Sequence, residues 1–155
     1  MKKASPKLAL VANQSADALR VLSCISSRYE VSTWSLNERV STRFREERPA
    51  LVLVLSGRHE LVRCSGVARS LKTERRPPLV ALILGGGLPT NVQDLMRESL
   101  LDGVLGLPLK EAEWPGWLER VLSGDQPIEG PLRKESKLRQ TVRKLSGFRA
   151  FSRDE

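Results

Sequence analysis

His59 is the one histidine of this 155-residue chain, and it stands between Arg58 and Glu60, just after Ser56-Gly57. An imidazole beside a carboxylate has the parts of general-base chemistry. No Ser-His-Asp or Cys-His arrangement accompanies it, so a surface or capping side chain is the plainer role. Asn13-Gln14-Ser15, Ser56-Gly57-Arg58 and Gly85-Gly86-Gly87 form a second constellation. Backbone amides at helix N-termini, with Arg58 as counter-charge, could hold an anion without catalysis. The glycines lack phosphate-loop spacing and serve equally well as ordinary turns. Cys24 and Cys64 have no CxxC or Cys/His neighbour, so they read as reduced thiols of a cytosolic protein, with no metal site and no cofactor.

A third constellation lies in the C-terminal part. Residues 126–155 hold eight Lys/Arg against four acids, while the preceding 125 residues hold 18 basic and 14 acidic side chains. Lys134, Lys137, Arg139, Arg143 and Lys144 could meet nucleic-acid phosphates, and Phe148 and Phe151 could stack on bases. Leu138, Val142 and Leu145 follow helical spacing, which makes the tail a basic amphipathic helix or a disordered end. No zinc finger, ribbon or helix-turn-helix pattern accompanies it, so any contact with nucleic acid should have little sequence preference.

These residues need a scaffold, and the hydrophobic pattern supplies one. Apolar strands are expected at residues 8–12, 29–34, 51–55, 79–84 and 104–107. Helices are expected at 15–28, 37–48, 60–72, 91–101 and 111–123. Strict alternation with continuously apolar strands predicts a parallel sheet wrapped by helices on both faces. Five strands in one domain suit a flavodoxin-like α/β three-layer sandwich of order 2-1-3-4-5. The domain spans residues 6–123, and 124–155 read as a Gly/Pro-bearing linker and tail. The net charge of +8 favours acidic partners. The chain carries no secretory signal and no apolar run long enough for a membrane span.

With these elements placed, the chain resembles the CheY-like receiver domain of bacterial response regulators over about residues 6–123. The landmarks are residues 8–12, the segment Arg48-Pro49-Ala50 leading into 51–55, residues 78–82, and Asp102-Gly103 leading into 104–109. Such a receiver phosphorylates an aspartate after its third strand. It uses an acidic pair that binds Mg²⁺, a Ser/Thr after the fourth strand and a Lys before a proline. Ala12 and Asn13 stand at the acidic pair, Leu55 (or Ser56) at the nucleophile, Ile83 at the Ser/Thr and Leu107 at the Lys. The resemblance is therefore to a pseudo-receiver without the phosphoacceptor.

The resemblance implies a phosphorylation-independent interaction module in cytoplasmic signalling rather than an enzyme. Trp114 and Trp117 would anchor a partner, or a second copy of the chain, on the face of the fourth helix, fifth strand and fifth helix. One of the two indoles is expected to be buried and the other partly exposed. The alternatives are a nucleic-acid-associated regulator that uses the tail and a residual phosphate-handling enzyme.

Overall fold

The computed structural model describes residues 6–57 and 59–133. A parallel sheet forms from β1 (Lys7–Val11), β2 (Glu30–Trp34), β3 (Leu51–Ser56), β4 (Leu79–Leu84), β5 (Gly103–Gly106) and β6 (Ile128–Glu129), in the order β2-β1-β3-β4-β5-β6. The helices are α1 (Ala16–Ser26), α2 (Val40–Glu47), α3 (Leu61–Lys72), α4 (Val92–Glu98) and α5 (Trp114–Leu122), the last preceded by a 3-10 turn at Glu111–Glu113.

The continuous apolar strands work because side chains alternate across a pleat and both faces are covered. Leu51, Leu53 and Leu55 enter the core under α1 and α5, as do Leu10 and Ile83. Val52 and Val54 enter the core under α2, α3 and α4 with Val11, Leu82 and Phe44. The registers Leu8↔Leu51 and Leu51↔Leu79 align the three central strands, so their carboxyl ends share one edge. At the opposite end, Lys72 Nζ pairs with Asp102 at 2.8 Å while Asp102 also accepts from Val80 N, which ties α3, β4 and β5 together.

The five-strand expectation needs one correction. Residues 124–131 are not a free linker: Ile128 and Glu129 pair with Val104 and Leu105, and Leu132 bridges Leu88. Several helix ends also shift. The second helix begins at Val40 because Ser35–Glu38 closes a turn, with Glu38 N donating to Ser35 O. The fourth ends at Glu98 because Leu100 adopts a φ of 55° and Leu101 N donates to Met96 O, a left-handed helix stop. No helix of the described residues is long and apolar enough to cross a membrane.

Candidate functional site

The carboxyl edge of the sheet brings together the loops after β1, β3 and β4. Leu55 and Ile83 are buried in the α1/α5 core, Ala12 is half-buried, and Leu107, also half-buried, precedes a cis Pro108. None of these side chains can carry a charge or donate a proton. Ser56 is 1% exposed, and its hydroxyl donates to Gly57 O at 3.0 Å. It has no path to a substrate. The buried Cys64 thiol faces Leu55 O at 3.8 Å. Burial pushes its pKa up to about 11, against a smaller lowering by Ser56, so it stays protonated and inert.

The charged group that does reach this edge is one the receiver pattern does not contain. Glu60, immediately before α3, turns back over the edge: Oε1 accepts from Gly57 N at 3.0 Å and Oε2 accepts from Asn13 Nδ2. Asn13 therefore sits where the resemblance puts an acid, but it serves as a donor to a carboxylate from another loop. Both Glu60 oxygens are occupied. A Cβ at Gly57 would lie 2.9 Å from Glu60 Oε1, so a side chain there would shift the carboxylate. Asp17, in the first turn of α1, faces the same edge: a Cβ on Gly85 would lie 3.3 Å from Asp17 Oδ2. The reading from sequence missed both acids as site residues. The Gly57–Glu60 contact spans three residues and closes the turn before α3, so it is local in the sequence. The Asn13 contact spans 47 residues and leaves no local trace.

The anion edge proposed from the three glycines takes a different form. Gly85 N donates to Ser56 O at 2.9 Å. Gly86 and Gly87 hold φ of 87° and 102°, which demands glycine. Gly87 serves close packing: a Cβ there would lie 2.8 Å from Pro131 O. Two of these amides thus spend themselves inside the fold, as Gly87 N donates to Leu84 O at 3.4 Å. His59 is exposed. Arg58, Lys134, Lys137, Arg139, Arg143, Lys144, Phe148 and Phe151 lie outside the described residues.

Trp114 and Trp117 are 2% and 1% exposed and pack edge to face, with centroids 6.1 Å apart, against the sheet. The expectation of a partly exposed tryptophan anchor fails because both indoles fill the space over β5. A Cβ on Gly103 would lie 2.8 Å from Val121 Cγ2, so glycine at this strand position lets α5 pack closely on β5. The face expected to meet a second copy also differs: β6 covers the edge of β5, and Met96, Leu100, Ile128 and Arg120 now line it.

Solved structures with the same arrangement carry the comparison further. A CheY-like protein, tadZ, from Pseudomonas aeruginosa PAO1 superposes with a TM-score of 0.62 at 14% identity, covering 74% of this chain and 98% of that one. A response regulator receiver protein from Burkholderia phymatum gives 0.60 at 15%, covering 83% and 100%. A LuxR family DNA-binding response regulator from Silicibacter pomeroyi gives 0.57 at 15%, covering 80% and 97%. This chain has the receiver fold. No family model and no curated relative matches the sequence. In this fold the Asn13–Glu60–Gly57 hydrogen bonds lie at the carboxyl edge of the sheet.

Proposed function

We propose that this chain is a phosphorylation-independent pseudo-receiver that works by binding a protein partner and not as a catalyst. The observation that carries this reading is the closed corner at the carboxyl edge. Each Glu60 oxygen accepts a hydrogen bond, one from Asn13 and one from Gly57, while Leu55 and Ile83 at the same edge are buried and apolar and Asp17 is the other acid there. A phosphoryl acceptor needs an accessible carboxylate and a hard-cation site of oxygen ligands. Leu55 and Ile83 supply neither. Large apolar side chains stand in solvent on several faces: Leu19 on α1, Val62 on α3 and Leu100 after α4. They leave room for partners without the tryptophans.

Incubation of the full chain with Mg²⁺ and a small acyl phosphate, read by intact mass, is expected to leave the mass unchanged, and phosphoryl uptake on any carboxylate would overturn the reading. Leu19→Asp or Leu100→Asp should weaken capture of the partner without changing the unfolding midpoint, since both side chains are exposed.

The second reading, a nucleic-acid-associated regulator, draws on where the chain leaves the domain. Arg133 N donates to Leu88 O at 2.7 Å, so the basic segment 134–155 starts from the carboxyl edge. In a DNA titration at rising salt, a steep log–log loss of affinity that disappears when the five basic residues of 134–144 become glutamine would favour it. Salt-insensitive or absent binding returns the weight to protein partners.

A further inference from the structure

The opposite end of the sheet holds an open cavity of ≈ 690 Å³ between the starts of β3 and β4. Its floor is Pro49, Pro77, Pro78 and Leu79, with Phe44 as a wall. Arg48, Arg75 and Arg76 line it, and among the described residues no acidic one does. We propose that this cavity binds a nucleotide unit, with its phosphate on the three guanidiniums and its flat ring on the proline floor.

The charge argument comes first. Among the described residues, Arg48, Arg75 and Arg76 take part in no ion pair. Glu74, which adjoins Arg75 in the chain, is already gripped by Arg45 through two hydrogen bonds of 2.9 and 3.1 Å. Arg48 is also oriented: its guanidinium lies 5.2 Å from the centroid of the Phe44 ring, and its backbone φ of 50° ends α2 beneath the cavity. Three planar cations around one concavity match a phosphate, which accepts bidentate hydrogen bonds.

The floor decides the rest of the ligand. The three prolines have no N–H. Among the other lining amides, Ala50 N donates to Lys7 O at 2.9 Å and Leu79 N to Ala50 O at 3.2 Å. The proline-rich lining offers an extended peptide few backbone donors. The volume falls in the range of small-ligand sites, about 300–1,000 Å³, well beyond one phosphate. Rigid pyrrolidine rings and guanidinium planes suit a flat ring laid against them. A free mononucleotide and a single-stranded nucleic acid offer the same chemistry.

The test is an amide-resolved NMR titration of the full chain with AMP, adenosine, inorganic phosphate, a single-stranded hexanucleotide and hexaglutamate. AMP is expected to give saturable shifts clustered at Thr73–Arg76, Ala50 and Leu79. Adenosine and phosphate should each bind about tenfold more weakly, since each has half of the recognised chemistry. The exposed double variant Arg75→Gln/Arg76→Gln should weaken AMP by about tenfold or more, while glutamine replacements at Lys134, Lys137, Arg139, Arg143 and Lys144 should leave it unchanged. A hexanucleotide that binds more tightly than AMP at the same amides assigns the source to a polymer; equal affinity assigns it to the mononucleotide. Absence of saturable shifts at these amides, indifference to the double variant, or tighter binding of hexaglutamate would each overturn the proposal. None of these outcomes depends on the carboxyl edge, so this inference and the pseudo-receiver reading fail separately.

Discussion

Gly130→Val is expected to unfasten the sixth strand and lower the stability of the chain by about 2–4 kcal/mol, through strained backbone and a forbidden contact. Gly130 sits at φ 113°, and a Cβ there would lie 2.2 Å from Gly106 O. That neighbour is backbone in a buried strand and cannot move aside. The strap must therefore leave, taking with it the bonds Val104 N to Pro127 O, Leu88 N to Pro131 O and Arg133 N to Leu88 O. The cost has a ceiling, namely the docking energy of the strap itself. A Gly87→Val/Gly130→Val double variant should add the backbone strain of valine at φ 102° but little further contact cost, because Gly87 touches the same segment. Gly124→Val is the control: its φ is 87°, but nothing lies within 4 Å of its Cβ. Urea unfolding gives the energy, and hydrogen exchange at Val104 and Leu88 reports the strap. An unchanged midpoint with unchanged protection would mean that the strand does not dock as described.

Trp117→Ala should cost about 3–5 kcal/mol, the usual range for removing a large aromatic from a packed core. The side chain is 1% exposed, and its edge-to-face partner Trp114 would lose its contact as well. Trp117→Phe should be much milder, because the indole Nε1 is buried with no hydrogen-bond partner among the described residues. Trp34 makes the useful contrast. Its Nε1 donates to Glu47 Oε2 at 3.0 Å, so Trp34→Phe also strips a donor from a carboxylate. Glu47 is held below the usual carboxylate range mainly by Ser32, against burial, with help from Trp34 and Arg43. Urea denaturation of the four proteins separates packing from polar loss. A Trp117→Ala protein of native stability that no longer captured its partner would restore the tryptophan to the interface role expected from sequence.

The two glycine contacts and the two tryptophans also mark where sequence reading stopped. Leu51–Leu55 and Leu79–Leu84 are apolar at every position, and only a strand covered on both faces tolerates that, so the parallel sheet and its helical layers were legible. The apolar character of the positions that the resemblance assigns to receiver chemistry was legible too, because Ala12, Leu55, Ile83 and Leu107 cannot ionise in any conformation. Residue type alone settles what a side chain is unable to do. Three other features depended on which segments meet in space. Glu60 reaches Asn13 across 47 residues, Gly130 closes on Gly106, and Arg48 meets Arg75 and Arg76 around one cavity. Trp114 and Trp117 were visible as an i, i+3 pair, but helical spacing states only that they share a face, and it was the sheet beneath α5 that turned that face inward. Periodicity and chemical type are local properties written residue by residue. Burial, pairing and close approach belong to pairs of distant segments, and packing alone chose those pairs.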